Sequence, residues 1–186
     1  AKSDGKGRYR LFDASLLEAA MDRIELETDL AQAIARGELA VAYQPIVALA
    51  TGELAAAEAL LRWQHPVRGA IPPARFIPIA ESTGEIVALG RWVLRAACRE
   101  AAGWPARADG TPRTVSVNLS GRQLAEPTLV DEVRAALADA GLPAERLTLE
   151  ITESVLMQHT ERNLAQLRAL KALGVRLAID DFGTGY

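Results

Sequence analysis

The sequence is poor in the side chains that build disulfide frameworks and transition-metal sites. Its 186 residues include one cysteine and two histidines. Cys98 alone cannot form an internal disulfide, which excludes a disulfide scaffold and is compatible with a reducing compartment. His65 and His159 have no partner at metal-ligand spacing, so we interpret His65 as a loop residue and His159 as a helix-start residue. Cys98 itself lies in an apolar helical stretch and is expected to fill the core.

The sequence also lacks a strong charge bias and a long apolar run. Twenty-one basic and twenty-four acidic residues leave a net charge of −3, so no global field attracts a nucleic-acid polymer or an anionic membrane. No run approaches the ~20 apolar residues of a membrane span, and the first residues have no apolar core of a signal peptide. We expect a soluble, cytoplasmic chain that holds any anionic ligand in a local site. A membrane anchor of a parent protein would lie in other segments.

What the sequence does contain is ordinary globular composition, with 49 % hydrophobic and 24 % charged residues. Aromatic residues make up 5 %, and the three tryptophans, Trp63, Trp92 and Trp104, are too far apart to form a stacking stripe. We interpret them as core or rim residues. Ser116 and Ser120 have no evident histidine base, so serine-nucleophile chemistry is unsupported.

Strand-like and helix-like runs alternate after a leader helix, which we predict over residues 14–36. The predicted strands are 39–47, 114–118, 147–151 and 175–180, and the predicted helices are 72–81, 86–103, 128–140 and 160–173. The run 54–62 stays ambiguous, because its Ala and Leu content favours a helix while its short length and its neighbours favour a buried strand. Alternation predicts an α/β fold with a mostly parallel sheet. No Gly-rich phosphate-binding turn is present, and this favours a barrel over an open doubly wound sheet.

Polar side chains interrupt these apolar strands near their carboxyl ends. They are Glu58, Asn118, Glu150, Asp180 and Asp181. Since the carboxyl ends of parallel strands build the active-site face, we expect these oxygen-bearing groups to meet at one rim. Several buried carboxylates need a neutralising cation, and oxygen ligands suit Mg²⁺, Mn²⁺ or Ca²⁺. A single acid in a strand is more often an ion-paired or edge residue, but four successive strands carrying one each favour a metal site.

Two further features of this rim leave alternatives open. Asp180-Asp181 alone could cap a helix, whereas the following Gly183-Thr184-Gly185 favours a tight loop. Arg62 lies four residues after Glu58 and alternates to the same side of a strand. It could clamp a phosphate or simply form an ion pair with the acid.

With these residues assembled, the chain resembles the EAL family of cyclic-di-GMP phosphodiesterases. The name-giving motif is Glu58-Ala59-Leu60, followed by Leu61-Arg62-Trp63. The other motifs follow in family order: Tyr43-Gln44-Pro45-Ile46, Ile71-Pro72-Pro73, Phe76-Ile77-Pro78, Val117-Asn118-Leu119-Ser120, Glu150-Ile151-Thr152-Glu153 and Asp180-Asp181-Phe182-Gly183-Thr184-Gly185-Tyr186. The resemblance runs from about Leu26 to the last residue.

The resemblance implies a modified (β/α)₈ TIM-type barrel that hydrolyses cyclic-di-GMP to linear pGpG with Mg²⁺ or Mn²⁺. Metal ligands are implied at Glu58, Asn118, Glu150 and Asp180, with Asp181 as a ligand of a second metal. Glu153 corresponds to the acid that holds the loop after the fifth barrel strand. Substrate contacts are implied at Gln44, Leu61 and Arg62. The implied reaction is in-line attack of metal-activated water on one phosphodiester.

The resemblance also predicts the domain organisation. Residues 1–13 resemble the C-terminal tail of a GGDEF-like domain, 14–36 form a linker helix, and 37–186 correspond to the N-terminal part of an EAL domain. A complete barrel takes ~250 residues, and about five barrel strands are visible. The lysine, base glutamate and glutamine that the family carries on later strands have no counterpart here.

Two expectations and one alternative follow from this incomplete barrel. We expect little or no hydrolysis from the chain alone. We also expect self-association, strand exchange or a partner to cover the open sheet edge. The alternative to catalysis is a module that binds cyclic-di-GMP, or interacts with a partner, without cleaving it.

Overall fold

The fold is described from a computed structural model that covers residues 14–157 and 161–180, without the side chains of 14–16 and 154. The helices are α1 Ala14–Ala33, α2 Pro73–Thr83, α3 Ile86–Ala102, α4 Gly121–Ala125, α5 Leu129–Ala140, α6 Glu153–Met157 and α7 Glu161–Ala172, with a 3₁₀ turn at Ala144–Arg146. The strands are β1 Leu39–Val47, β2 Leu54–His65, β3 Gly69–Ile71, β4 Thr114–Asn118, β5 Leu147–Thr152 and β6 Arg176–Asp180.

The strands form one sheet in the order β1-β2-β4-β5-β6, and β3 pairs with β2 alone. Strands β2, β4, β5 and β6 are parallel, whereas β1 and β3 each run antiparallel to β2. This arrangement confirms the predicted α/β fold with about five barrel strands. It also resolves the ambiguous run 54–62 as a strand, because β1 and β4 hydrogen-bond to it from both sides and outweigh the helix propensity of its Ala and Leu residues.

The outer face of the sheet is apolar and lies under helices. Ala59, Val115 and Leu149 are buried there, in a cluster that includes Ala97 of α3 and Val133 of α5. Alternation along each strand sends every second side chain to this face. The central strands are therefore anchored by hydrophobic burial on one side only.

A second core cluster attaches α1 to the rest of the chain. Leu26 and Leu30 of α1 are buried with Trp63 of β2 and Phe76 of α2. The Trp63 ring stands edge-on to that of Phe76, with centroids 5.7 Å apart, which is a favourable geometry for an aromatic pair. Trp63 is thus a core residue, as expected, and the leader helix is packed rather than extended away from the sheet.

The interpretation of His65 as a loop residue is wrong. It is the last residue of β2 and is buried. Its Nε2 lies 3.1 Å from Oδ2 of Asp29 in α1, and its Nδ1 accepts the backbone N–H groups of Val67 and Arg68. Because the aspartate lies 36 residues earlier in the sequence, no local pattern around the histidine indicates this contact.

Four short elements were not predicted: β3, α4, the 3₁₀ turn and α6. Each has three to five residues, too few for a hydrophobic period to be recognised. Cys98 is buried in the core as expected, and burial raises the pKa of its thiol to about 11. None of the helices in the described part of the chain is long and apolar enough for a membrane span. The predicted tail at 1–13 and His159 lie outside the described residues, and self-association stays a prediction.

Candidate functional site

The inner face of the sheet carries the polar residues that the sequence singled out. Opposed residues on neighbouring strands share a face, and the pairs here are Gln44 with Glu58, Glu58 with Ser116, and Asn118 with Glu150. Arg62 lies two alternations after Glu58 on the same strand and so belongs to this face as well. The sheet therefore brings most of the predicted site to one surface.

These residues do not lie at one level of the hydrogen-bond register. Glu58 is opposite Ser116, two residues before Asn118, and Asp180 is opposite Thr152, two residues after Glu150. The row climbs along the strands from β2 to β6. A stagger of this kind is the register that tilted strands of a barrel require, and it makes the functional residues diagonal neighbours across the sheet.

A direct hydrogen bond joins two of the predicted metal ligands. Asn118 donates from Nδ2 to Oε1 of Glu58 at 2.7 Å. The chain just beyond Asn118 is also fixed, since the N–H of Leu119 donates to the carbonyl of Glu150 at 2.8 Å. The hydrogen bond assigns the amide orientation of Asn118, because its Nδ2 is the donor and its Oδ1 remains the group that can act as a ligand.

Electrostatics at Glu150 indicate a concentration of negative charge. Partial burial is the largest cause that raises the pKa of this carboxyl, and the nearby charges of Glu58 and Asp180 raise it further. A hydrogen bond from Ser116 acts in the opposite direction. A carboxyl group whose ionisation is disfavoured by burial and by two nearby carboxylates is one that a bound cation would stabilise in its charged form.

The donor set fits a hard divalent cation. Carboxylate oxygens and one amide oxygen are ligands that Mg²⁺ and Mn²⁺ accept. Within residues 14–157 and 161–180, no three His, Cys, Asp or Glu side chains converge closely enough to hold an ion by themselves. Asn118 is outside that set of residue types, and Asp181 lies outside the described residues. The metal-ligand roles therefore stay predictions that the charge distribution supports.

A cavity of about 280 Å³ opens beside these groups, between β2 and helices α2 and α3. Its polar lining includes Arg62, Asn118 and Glu150, and Leu61 contributes to its largely apolar wall. Arg62 donates from Nη1 to the carbonyl of Leu61 at 3.0 Å. Among the described residues no carboxylate pairs with this guanidinium, so the ion pair with Glu58 is not formed.

The remaining predicted site residues, Gln44 and Glu153, do not line this cavity. Gln44 is exposed on β1 opposite Glu58 and does not line the cavity. Glu153 begins α6 immediately after β5. Its predicted role in holding the loop after β6 stays a prediction, because residues 181–186 are outside the described part of the chain.

Two polar residues of the site were missed at the sequence level. Ser116 contacts Glu150, and Gln123 lines the cavity while it caps helix α4 together with Ser120. Both left a signal. Ser116 is two residues from Asn118 in a strand and must share its face, and a serine followed three residues later by glutamine is the capping-box pattern.

The chain matches one protein family and is similar to several known proteins. Residues 27–186 match the family described as EAL domain. The bifunctional diguanylate cyclase/cyclic di-GMP phosphodiesterase MucR of Pseudomonas aeruginosa is 44% identical over 188 residues, which is 100% of this chain and 27% of that protein. The cyclic di-GMP phosphodiesterase NbdA of the same organism is 44% identical over 186 residues, 100% of this chain and 24% of its own length. The chain thus spans about a quarter of these relatives.

Solved structures share the fold. The structure described as the PaMucR phosphodiesterase in complex with c-di-GMP has 46% identity and a TM-score of 0.79, over 87% of this chain and 65% of that one. The EAL enzyme Bd1971, bound to cAMP and cyclic-di-GMP, has 30% identity and a TM-score of 0.80, over 90% of this chain and 46% of the other.

Proposed function

The chain belongs to the EAL domain family, and from this premise we propose that it forms part of a metal-dependent phosphodiesterase that hydrolyses cyclic-di-GMP to linear pGpG. The observation that carries the proposal is the staggered row of oxygen-bearing side chains on the inner sheet face, with Asn118 hydrogen-bonded to Glu58 at 2.7 Å. The relatives named cyclic di-GMP phosphodiesterases support the substrate class.

The oxygen-bearing residues of the inner sheet face would bind the metal ion. Glu58, Asn118 and Glu150, with Asp180 and Asp181, would hold Mg²⁺ or Mn²⁺ through oxygen atoms. Such an ion would lower the pKa of the attacking water and offset the charge that develops on the phosphoryl oxygens.

Substrate orientation would fall to the cavity and its rim. Arg62 has no carboxylate partner in the described part of the chain, so its guanidinium is available for a phosphate oxygen. Leu61 contributes apolar surface beside it. Gln44 would approach from β1, opposite Glu58 in the register.

The proposal also concerns how much activity this chain has by itself. We propose that the described strands hold ligands and substrate contacts, while the base-bearing segment of the family lies beyond this sequence. Little or no turnover is therefore expected from the 186-residue chain alone. We also propose that residues 1–13 are the tail of a GGDEF-like domain and that residues 14–36 are a linker helix.

The test is a turnover assay with cyclic-di-GMP and Mn²⁺, read as linear pGpG by chromatography. It compares the isolated chain, a protein in which the chain is part of a complete EAL domain, and E58Q in that protein. We expect turnover from the complete domain, a loss of at least about 100-fold in E58Q, and little or none from the isolated chain. A complete domain that binds cyclic-di-GMP without cleaving it would replace the proposal with the binding-module alternative.

A further inference from the structure

We propose that Gln123 is a positioning residue for Asn118, and that Gly90 of α3 is the cradle that keeps Gln123 in place. The inference deepens the proposed function and rests on it, because it concerns the amide that would face the ion. The supporting observation is the contact between Gly90 in α3 and Gln123 in α4, neither of which has a proposed role in the reaction.

The turn after Asn118 is built around the side chain of Gln123. Oε1 of Gln123 accepts from the backbone N–H of Ser120 at 3.1 Å and from its hydroxyl at 3.0 Å. In return, the N–H of Gln123 donates to Oγ of Ser120 at 3.3 Å. These bonds form a capping box at the start of α4. Because α4 has only five residues, this cap supplies much of what defines the turn.

Gly90 gives the amide of Gln123 the room it needs. A Cβ built on Gly90 would lie 1.9 Å from Nε2 of Gln123 and 2.4 Å from its Cδ. Any side chain at position 90 must therefore displace Gln123. The backbone at Gly90 is ordinary helix within α3, so the glycine is explained by this close approach and not by an unusual φ.

The turn connects this contact to the site. Asn118 and Ser120 are separated by Leu119, whose N–H is bonded to the carbonyl of Glu150. The short segment is thus fixed by β5 on one side and by Gln123 on the other. Moving Gln123 releases the N–H and hydroxyl of Ser120, and the backbone that carries Asn118 then loses one of its two supports. We infer that the hydrogen bond from Asn118 to Glu58 is weakened as a result.

The experiment uses G90A, Q123A, Q123E and the double variant G90A/Q123A. G90A leaves every polar group of the site in the sequence and raises the helix propensity of α3. The matched control is G103A, at the other end of α3. Gly103 has φ −80 and its Cβ would meet only the Glu100 carbonyl, at 3.6 Å. Q123E keeps the acceptor for Ser120 and is the conservative rescue.

Two readouts are independent of turnover: the side-chain amide resonances of Asn118, and Mn²⁺ affinity by calorimetry. We expect G90A and Q123A to shift those resonances and to weaken Mn²⁺ about 10- to 100-fold, the range for loss of a group that orients a metal ligand. G103A should match the unmodified protein, and Q123E should keep the resonances in place. The double variant should be no weaker than Q123A, because the truncated side chain no longer meets Ala at position 90.

The outcomes separate this inference from the proposed function. Unchanged resonances and Mn²⁺ affinity in folded G90A and Q123A would overturn the positioning role, whatever the turnover of the unmodified domain. Additive losses in the double variant would also overturn it, because they would mean that Gly90 and Gln123 act separately. A failure of the proposed function appears instead in the unmodified complete domain, as absent turnover. If G90A and Q123A do not fold, Q123E decides the question. Asn118 resonances that match those of the unmodified protein support the inference, because Q123E keeps the acceptor for Ser120, and shifted resonances in folded Q123E contradict it.

Discussion

The two faces of one sheet show opposite chemistry on alternate residues of the same strands. On β5, Leu149 faces outward into the core and is 1% exposed, whereas its neighbour Glu150 faces inward beside two other acids. On β4, Val117 and Asn118 divide in the same way. The outer face stabilises the fold by excluding water, while the inner face concentrates like charge that opposes it.

This difference predicts that stability and ligand binding can be changed separately by neighbouring residues. The outer face should tolerate polar groups only where each one finds a partner. The inner face should tolerate changes that remove charge, at the expense of binding a cation. The following substitutions are ordered from the largest expected effect to the smallest.

The largest effect is expected on the outer face, at Leu149. L149A removes a fully buried side chain and should lower the free energy of unfolding by about 2–5 kcal/mol. Denaturant titration monitored by circular dichroism measures it. T148A, on the adjacent residue and the opposite face, is the control and should cost about 1 kcal/mol or less. Equal losses in the two variants would contradict the division into two faces.

Trp63 tests how the outer face accommodates a polar group. Its Nε1 donates to Oε2 of the buried Glu38 at 3.0 Å. W63F should lower the free energy of unfolding by about 1–3 kcal/mol, because it leaves that carboxylate without its indole donor. W104F is the matched control, since Trp104 is only partly buried and lies 3.5 Å from Glu100. A cost for W104F as large as that for W63F would argue against the importance of the buried bond.

Glu150 tests the inner face with the opposite expected sign. E150Q removes a partly buried charge that Glu58 and Asp180 disfavour, so its thermal midpoint should equal or slightly exceed that of the unmodified chain. Its affinity for Mn²⁺ should fall. Thermal unfolding without added metal and calorimetry with Mn²⁺ measure the two quantities. A clear loss of thermal stability without metal would mean that this carboxylate is a structural residue.

The smallest effect is expected for chemical labelling of the Cys98 thiol in the folded protein. Burial raises the pKa of its thiol to about 11, so at pH 8 the reactive thiolate is scarce and shielded by the core. A disulfide reagent should react only as fast as the protein opens. The reaction should accelerate in urea through the unfolding transition, because an exposed thiol regains its ordinary pKa and its access to the reagent. Rapid labelling of the folded chain at pH 8 would place the thiol nearer the surface than the core cluster requires.

Much of the fold followed from local pattern, and the exceptions have identifiable causes. Strands 39–47 and 114–118 were predicted with the bounds they have, because each is an apolar run between turn residues. The run 54–62 was undecided until its pairing with β1 and β4 was known. The burial of His65 has no local signal, because its partner, Asp29, is distant in sequence.

The candidate site divides along the same line. Glu58, Asn118 and Glu150 could be selected from the sequence because a charged or amide group in an apolar strand is unusual and its spacing fixes its face. The diagonal contact between Asn118 and Glu58 could not, because it depends on the register between two strands 60 residues apart. Gln123 had a recognisable capping pattern, yet its contact with Gly90 requires two helices to be packed together.

By itself, the sequence determined the alternation of strands and helices, the family and the identity of the oxygen-bearing residues. These properties reside in residue type and spacing, which act over a few positions along the chain. Only the tertiary structure decided the stagger of the polar row and the burial of His65. It also decided that Arg62 forms no ion pair with Glu58 and that Gln123 packs against Gly90. Each of these depends on strand register or helix packing, and both are set by the combined burial of residues far apart in sequence.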